Sequence, residues 1–569
     1  MAPSANSPIA PPPSSIPRLA ARGEAEAAKV TPFWATFDRM LSDAYCARDN
    51  PSGIVNLGIA NNSLMEAELL DFFHRSLSLH ASDLTYGTSL FGSTRLFAAL
   101  CSHYNSAAFA PVSPVLPSHL ITGPGCGSLL DQVFLHLAGD GDAVLCAAPY
   151  YNGFDADLNT RANVTCVPVF SPSTDGTSAV DFSGETALRG FEAALQGLHA
   201  KHMTCAAVLL CNPHNPSGRC YDREAMLAYG RFVEKHDLHL VVDEIYALST
   251  YKCSTAFGPD QGFISALNID WLKEAGCHPG RVHIVSSSSK DWGINGFRVG
   301  SLISQHNPTL LKAMMSTAKL YMVSSPSDAL FSALLTHPTF YGAFIRTNQA
   351  RLGAAYRLVT QWLQHHGINY SPANAGHFVL ADLERFMPRL LNGRKLTPQE
   401  GETALWARAL DHRVCVTPGS NYHHPRLGMF RLTFSLPAPA MLEGLSRLER
   451  ALGLSPWAPP SPSAPISLGL TAAEIDAPLR EAALAPPGKI EHFQPEPMSV
   501  SKALSPGAQA VVTALCGGMP HLSLQDSDET PETPKQQKQQ QQPEKDRRDE
   551  VHAKLTELLA MMKTAPCAC

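Results

Sequence analysis

The spacing of apolar runs constrains the fold of this chain more than any other feature of its sequence. Short runs with the length and composition of buried strands recur through the middle of the chain, at 143–147, 206–211, 238–242 and 282–285. Longer amphipathic stretches of helical period lie between them, for example Ser128–Leu137 and Arg223–Lys235. Buried strands that alternate with helices predict an α/β fold, with a mostly parallel sheet and helices on both of its faces. In such sheets, ligands bind at the carboxyl ends of the strands.

Composition narrows the class of protein. The chain has 569 residues, of which 44% are hydrophobic and 17% are charged, as is typical of a soluble globular enzyme. The net charge of -6 gives no reason to expect attraction to nucleic acids or acidic membranes, and no apolar run reaches the ~20 residues needed to cross a bilayer. The 14 cysteines show no C-x-x-C spacing, and the first residues lack the apolar run of a secretory signal. We therefore expect reduced thiols, no bound metal and a cytoplasmic protein.

The segment SSSSKDWGINGFRVG, residues 286–300, contains the most informative single residue, Lys290. A lone lysine is usually a solvated surface charge, but this one follows a predicted strand and lies among serines, with Arg298 eight residues later. A lysine can form a Schiff base with an aldehyde, and hydroxyls together with a guanidinium can bind a phosphate dianion. Pyridoxal phosphate (PLP) has both an aldehyde, which needs the amine, and a phosphate, which needs the binding groups. The segment therefore predicts a PLP site.

Three further motifs lie directly after predicted strands or before a predicted helix. They are VVDEIY with Asp243 and Tyr246, NPHNPSG with Asn215, and TGPGCGS with Gly125 and Cys126. Each has an ordinary explanation, because an aspartate can cap a helix, Asn-Pro is common in turns, and glycine-rich turns are frequent. The motif with Asp243 also suits PLP, because a buried anion keeps the pyridine nitrogen protonated. The motif with Gly125 and Cys126 suits it as well, because a helix N-terminus binds phosphate.

Aromatic residues and a second arginine complete the candidates. In PYYNGFD, either tyrosine could stack on a ring, and we favour Tyr150 over Tyr151, although an ordinary core tyrosine fits the same pattern. Arg431 stands in the apolar strand-like run FRLTFS, where a charged residue is costly unless it is paired.

Together these motifs resemble the class I/II aminotransferases, the large PLP-dependent family with the aspartate-aminotransferase fold. They follow the order found in that family, from Tyr86 in TYG to Arg431. The resemblance implies a large domain with a mostly parallel seven-stranded sheet flanked by helices, a smaller α/β C-terminal domain and disordered tails. It also implies PLP as the cofactor, an amino acid or amine as the substrate, and a homodimer.

The resemblance assigns a role to each matching residue. Lys290 would carry the cofactor, Asp243 would face its ring nitrogen and Tyr246 its ring oxygen. The other cofactor-binding residues would be Gly125, Cys126, Ser287, Ser289 and Arg298 at the phosphate, Asn215 at the ring oxygen and Tyr150 on the ring face. Tyr86 would reach the cofactor phosphate of the partner subunit, and Arg431 would bind the substrate α-carboxylate through two parallel hydrogen bonds.

Composition and resemblance together predict five segments. They are a disordered tail (1–28), an N-terminal arm with part of the small domain (29–85), the large PLP-binding domain (86–325), a connecting helix with the small C-terminal domain (326–453) and a low-complexity, mostly disordered extension (454–569). A continuous helical pattern over Pro308–Tyr356 predicts one long connecting helix, and 377–382 and 430–435 are strand-like. Val551–Lys563 has the pattern of a short amphipathic helix.

Within the family, the chain is most similar to the branch of plant 1-aminocyclopropane-1-carboxylate (ACC) synthase and its fungal secondary-metabolism relatives. The likeness rests on NLGIANN, PYYNGFDAD and SKD. ACC synthases have Ala-Glu-Asn where this chain has Ala60, Asn61 and Asn62, so a substrate-side glutamate is missing beside Ala60. This departure weighs against cyclopropane formation from S-adenosylmethionine.

Three functions remain as hypotheses. The first is an aminotransferase that acts on an amino acid or a related amine. The second is a PLP-dependent carbon–sulfur lyase of the gliotoxin type, or a lyase similar to ACC synthase, because these enzymes share the first chemical step and differ only in the bond that breaks next. The third is a non-catalytic scaffold, against which the intact set of Lys290, Asp243 and Arg431 argues.

Overall fold

The computed structural model describes residues 18–28, 32–171, 180–252, 262–391, 393–459 and 465–477, all within one compact unit of the chain. The strands in these ranges are β1 (Val55–Asn56), β2 (Leu120–Gly123), β3 (Ala143–Ala148), β4 (Thr165–Phe170), β5 (Cys205–Cys211), β6 (His239–Asp243), β7 (Val282–Ser287), β8 (Gly300–Ile303), β9 (Tyr370–Ser371), β10 (Phe378–Asp382), β11 (Leu390–Leu391), β12 (Arg394–Lys395), β13 (Val414–Cys415), β14 (Thr417–Pro418) and β15 (Met429–Thr433).

The helices connect these strands and cover the sheets. They are α1 (Ala21–Ala28), α2 (Pro32–Ser42), α3 (Glu66–Ser76), α4 (Thr94–Tyr104), α5 (Cys126–Leu137), α6 (Gly153–Asn159), α7 (Phe191–Ala200), α8 (Arg223–Lys235), α9 (Trp271–Ala275), α10 (Pro308–Ala318), α11 (Ser325–Thr336), α12 (Phe340–His365), α13 (Pro398–Asp411) and α14 (Ala438–Leu452). Among the helices described, none has both the length and the hydropathy needed to cross a membrane.

The largest sheet has seven strands in the order β2-β8-β7-β6-β5-β3-β4. Neighbours from β7 to β4 run parallel, whereas β8 is antiparallel to both β7 and β2. Strand β8 is reversed because only a short 3-10 turn (Asn295–Phe297) lies between β7 and β8, and a parallel return needs a long crossover. The prediction of a mostly parallel seven-stranded sheet is confirmed.

Strand β3 shows why this sheet must be covered on both faces. All six of its residues are buried. Alternate side chains enter two different apolar clusters, with Ala143, Leu145 and Ala147 in one and Val144, Cys146 and Ala148 in the other. Because side chains alternate across a strand, a continuous apolar run is stable only where helices pack on both sides.

A second, antiparallel sheet has the order β14-β15-β10-β9 and contains both strand-like runs predicted near the C-terminal end of the fold. Its apolar side chains share a cluster with α12, α13 and α14. In strand β15, Arg431 pairs with Leu380 of β10 and with Thr417 of β14. This register places the arginine in the central part of the sheet.

The predicted single helix over Pro308–Tyr356 is wrong. The structure has three helices here, α10, α11 and α12, which are separated at 319–324 and 337–339. Pro326 lies in the first turn of α11, and Pro338 lies between α11 and α12. Proline is tolerated in a first turn but breaks a helix interior, so the apolar periodicity continues while the helices do not.

The predicted tails are only partly described. Residues 1–17 and 478–569, which include the predicted helix Val551–Lys563, lie outside the described residues. Within the predicted tail 1–28, Ala21–Ala28 forms α1, in which no residue is buried. Alanine and glutamate favour this helix by their intrinsic propensity, without any packing.

Residues 465–477 fall in the predicted low-complexity extension, yet they pack on the core. Ile475 is buried, and its carbonyl oxygen accepts a hydrogen bond from Nε2 of His337 at 2.8 Å. The Nε of Arg351, in α12, donates to the carbonyl oxygen of Ile466 at 2.9 Å. Two helical elements therefore hold this segment against the folded unit.

Replacing Ile475 by alanine should loosen this segment. The change creates a cavity at a buried site, which should lower the free energy of opening 465–477 by about 2 kcal/mol and speed its amide exchange by roughly 30-fold. Hydrogen-exchange mass spectrometry measures this rate directly. Leu272→Ala, at a side chain that is 63% exposed, is the control and should leave exchange unchanged. Equal protection in the Ile475→Ala variant and the parent would contradict the packing described.

Candidate active site

A cavity of about 590 Å³ lies where strands β5, β6 and β7 end and where the second sheet approaches them. Nine of the predicted site residues line it: Ala60, Cys126, Asn215, Asp243, Tyr246, Ser289, Lys290, Arg298 and Arg431. Residues that are more than 350 positions apart in the chain therefore meet in one place. The carboxyl edge of the parallel strands is where the sequence predicted a ligand site.

Lys290 follows β7, and its Nζ donates a hydrogen bond to the carbonyl oxygen of Ala60 at 2.7 Å. Burial, together with the positive charges of Arg431 and Arg298, lowers the pKa of Lys290 to about 8. Both effects disfavour the ammonium form. A substantial fraction of this amine is therefore neutral, and nucleophilic, at mildly alkaline pH.

Asp243 ends β6 and is buried at the floor of the cavity. Its Oδ1 accepts hydrogen bonds from the backbone N of Ile245 at 3.1 Å and from the Sγ of Cys126 at 3.7 Å. Burial raises the pKa of Asp243 to about 7 in spite of these bonds. Within the described residues this carboxylate forms no ion pair, so it can accept a cationic N–H group from a ligand.

Arg431 is buried between two aromatic rings, with its guanidinium carbon 4.7 Å from the ring centre of Phe378 and 4.6 Å from that of Tyr422. Its Nη1 donates to Oδ1 of Asn215 at 2.9 Å, and its Nη2 donates to the carbonyl oxygen of Gly58 at 2.6 Å. Its buried Nε has no hydrogen-bond partner among the described residues. All of these partners are neutral, so the guanidinium keeps its capacity to bind an anion.

A second cationic region of the cavity, which contains Arg298, lies at the N-terminus of α5. Arg298 donates from Nη2 to the carbonyl oxygen of Pro124 at 2.7 Å, and its Nη1 lies 3.5 Å from the Oγ of Ser289. Gly125 precedes the helix with a φ of 96°, and a Cβ there would lie 2.2 Å from Nη2 of Arg298. The position thus requires glycine, which lets a guanidinium and the first backbone N–H groups of α5 face the same space.

The two neighbouring tyrosines have different environments, and these favour Tyr151 over the predicted Tyr150 as a residue of the cavity. Tyr151 lines the cavity, whereas Tyr150 does not. The hydroxyl of Tyr150 donates to Oδ1 of Asp155 at 2.7 Å, and its ring stacks on His423 at 4.5 Å. Tyr150 therefore packs as an ordinary core tyrosine, and Tyr151 is the tyrosine of this pair that faces the cavity.

Two other predicted residues lie away from the cavity. Ser287 is buried, and its Oγ accepts a hydrogen bond from the backbone N of Ser289 at 3.3 Å, so it contacts the loop and not the cavity. Tyr86 is 77% exposed on the surface of the chain. An exposed aromatic side chain of this size suits a surface that another subunit covers.

Sequence reasoning missed one wall of the cavity. Apolar side chains from α2, from the loop before α3 and from α13 line it, namely Phe37, Met40, Ile59 and Trp406. In the sequence, Phe37, Met40 and Trp406 look like ordinary apolar positions on amphipathic helices and Ile59 like an ordinary apolar loop residue, so no local signal distinguishes them. Asp157 of α6 also lines the cavity, and burial raises its pKa to about 7.

Comparison with solved structures gives the fold. Over 77% of this chain and 100% of the other, the structure matches the Thermus thermophilus aspartate aminotransferase with maleate, with a TM-score of 0.57 and 20% identity. The aspartate aminotransferase from Rhizobium meliloti matches with a TM-score of 0.58 and 18% identity over 77% of this chain and 99% of that one. At these identities the likeness establishes the fold alone.

Curated relatives are closer in sequence. The probable aminotransferase gliI of Aspergillus fumigatus is 32% identical over 410 residues, which cover 70% of this chain and 89% of the relative. The 1-aminocyclopropane-1-carboxylate synthase 5 of Oryza sativa subsp. japonica is 32% identical over 439 residues, covering 75% and 77%. The profile of the family described as aminotransferase class I and II matches residues 53–448, which contain every cavity residue predicted from the sequence. The chain therefore belongs to the class I and II aminotransferase family.

Proposed function

We propose that this protein is an aminotransferase of secondary metabolism that acts on an amino acid or an amine-bearing metabolite. Members of its family are PLP-dependent enzymes, and the fungal relatives of this chain are named as probable aminotransferases. The observation that carries the proposal is the meeting of Lys290, Asp243 and Arg431 in one buried cavity. These three side chains supply an amine, an anion and a carboxylate receptor.

The residues present fit PLP. Arg298, Ser289 and the N-terminus of α5 with Gly125 and Cys126 would hold its phosphate, because they bring a guanidinium, a hydroxyl and free N–H groups together. Asp243, a buried carboxylate at the end of β6, would hold the ring nitrogen. We assign Asn215 and Tyr246 to the ring oxygen, and Tyr151 in place of Tyr150 to the ring face.

Lys290 is the residue that we propose to carry the cofactor and then to move the proton. When bound, PLP supplies an electron sink for the charge that forms at the substrate Cα. The amine of Lys290 can take the proton from that Cα because its lowered pKa, about 8, keeps it partly neutral. Its contact with the carbonyl oxygen of Ala60 fixes the amine on the substrate side of the cavity.

Arg431 would bind the substrate α-carboxylate. The two aromatic rings and neutral partners hold its guanidinium in place before a substrate arrives, so little order has to be created on binding. The apolar wall formed by Phe37, Met40 and Trp406 would then face the substrate side chain. This apolar wall would exclude water from that side of the cavity. The attraction between Arg431 and the substrate carboxylate would then be stronger.

We further propose a cytoplasmic homodimer with the domain limits predicted above. Apolar side chains at Leu77, Leu84 and Tyr86 are exposed along one short stretch, which suits a subunit interface and a role for Tyr86 at the partner's site. The free cysteines among the described residues suit a reducing compartment. The strands of the large sheet lie within 86–325, and those of the antiparallel sheet lie within 326–453.

A lyase remains the alternative, because the relatives include ACC synthases. The segment Ala60-Asn61-Asn62, which replaces Ala-Glu-Asn, removes the carboxylate that those enzymes place beside the substrate. The test is to incubate the purified protein and PLP with a panel of L-amino acids, with and without an α-keto acid. We expect a new amino acid only when the keto acid is present. Pyruvate or ammonia formed over many turnovers without a keto acid would show the lyase and contradict transamination.

In the same assay, the activity of Lys290→Ala should fall at least about a thousandfold, because Lys290 is the one lysine that lines the cavity within the described ranges. Lys273→Ala, an exposed lysine outside the cavity, should keep full activity. Activity that survives in Lys290→Ala would overturn the assignment.

Gly125→Ala should weaken cofactor binding at least tenfold. The new Cβ would collide with Arg298, and the positive φ adds backbone strain. Spectrophotometric titration with PLP measures the dissociation constant. Gly141→Ala is the matched control, because Gly141 also has a positive φ, of 83°, but has open space around its Cβ position. Equal affinity in the two variants would contradict the phosphate assignment at α5.

A further inference from the structure

Three buried polar residues behind the cavity form a hydrogen-bonded chain. Asp291 directly follows Lys290 and is 5% exposed, whereas Ser249 and His377 are fully buried. The Oγ of Ser249 donates to Oδ1 of Asp291 at 2.6 Å and lies 3.0 Å from Nε2 of His377. None of the three lines the cavity, so a substrate cannot touch them.

The direction of each bond follows from the chemistry of the groups. Since the single hydroxyl proton of Ser249 goes to the carboxylate, its oxygen accepts from His377, which must carry its proton on Nε2. Burial, Lys290 and Arg431 lower the pKa of His377 well below its usual range, so this histidine is neutral. The second oxygen of Asp291 accepts from the backbone N of Leu248 at 3.0 Å. Burial raises the pKa of Asp291 to about 7, so above that pH the ionised carboxylate and the neutral histidine leave one arrangement of donors.

Two of the residues lie in the segments that carry Lys290 and Tyr246, and the third precedes the strand that pairs with the strand of Arg431. Asp291 lies in the loop of Lys290, and Ser249 lies three residues after Tyr246. His377 directly precedes β10, the strand that pairs with Arg431 in β15, and its ring lies edge-on to Tyr246 at 5.2 Å. A shift at any one of these segments must stretch or break a bond to the next.

Further bonds extend the connection to the substrate side. The carbonyl oxygen of Asp291 accepts from Nδ2 of Asn348 at 3.3 Å, and Oδ1 of Asn348 accepts from Nδ2 of Asn62 at 2.9 Å. Asn62 lies two residues after Ala60, the partner of the Lys290 amine. The loop of Lys290 is therefore held from both sides by buried hydrogen bonds.

We propose that Asp291, Ser249 and His377 are positioning residues that fix the amine of Lys290 relative to Arg431. The reaction requires the amine at the Cα and the guanidinium at the carboxylate of one small molecule, so their separation must be constant. A buried, fully directed polar chain sets such a separation better than apolar packing, because hydrogen bonds allow one geometry. The inference rests on the proposed function of the cavity.

The test compares Ser249→Ala and Asp291→Asn with the parent enzyme. Ser249→Ala removes both bonds that Ser249 makes, whereas Asp291→Asn replaces one acceptor oxygen by an NH2 group, so the bond from Ser249 or the bond from the backbone N of Leu248 loses its acceptor. Neither variant changes Arg298, Ser289 or the N-terminus of α5. We expect kcat to fall at least tenfold, because small displacements of reacting groups are costly, while the PLP dissociation constant changes less than about threefold. The visible circular dichroism of the bound cofactor, which reports its orientation at Lys290, should change in both.

Ser304→Ala is the matched control. Ser304 is also buried and forms the same type of bond, with its Oγ 2.9 Å from Nδ1 of His283, but it lies outside the cavity and the chain. It should lower thermal stability without changing kcat or the dichroism. If Ser249→Ala and Asp291→Asn behave like this control, the positioning role is refuted.

The parent enzyme separates this failure from failure of the proposed function. If the parent develops the absorbance of bound PLP and transaminates, while the variants lose only stability, the inference alone is wrong. If the parent binds no PLP, the proposed function is wrong, and the positioning role, which rests on it, is wrong as well. A fall in kcat with retained PLP affinity and altered dichroism supports the inference.

Discussion

The burial of three ionisable groups around one cavity is the constraint on which the rest of this structure depends. Lys290, Asp243 and Arg431 form no ion pair with one another among the described contacts, although each would be costly to bury alone. Neutral hydrogen-bond partners and aromatic rings hold them apart. The fold therefore keeps an amine, an anion and a cation ready for a ligand that carries the complementary groups.

Each of the two sheets positions a different part of this set of groups. Parallel strands β6 and β7 end side by side, which brings Asp243 and the loop of Lys290 to the same edge. Arg431 comes from the antiparallel sheet, and the loop that begins at Gly58 contacts both Arg431 and Lys290, through Gly58 and Ala60. Because the cavity lies between the two sheets, its shape depends on the buried polar bonds that join them.

Much of this could be predicted from the sequence, because apolar periodicity and short motifs are local signals. The parallel sheet and the positions of Lys290, Asp243 and Asn215 followed from them. The preference for Tyr150 over Tyr151 does not agree with the lining of the cavity, because adjacent residues share one motif, whereas the stacking of the Tyr150 ring on the distant His423 has no signal in that motif. The long helix failed because periodicity persists across the proline breaks near Pro326, and the apolar wall at Trp406 has no local signature at all.

Covalent capture of the cofactor by one amine is the central claim, and borohydride reduction tests it most directly. The purified protein is incubated with PLP, reduced, digested and mapped by mass spectrometry. The account predicts a single pyridoxyl adduct on the peptide that contains Lys290, and its loss when Lys290 is replaced by alanine. An adduct confined to other lysines, or no adduct together with no change in absorbance, would contradict it.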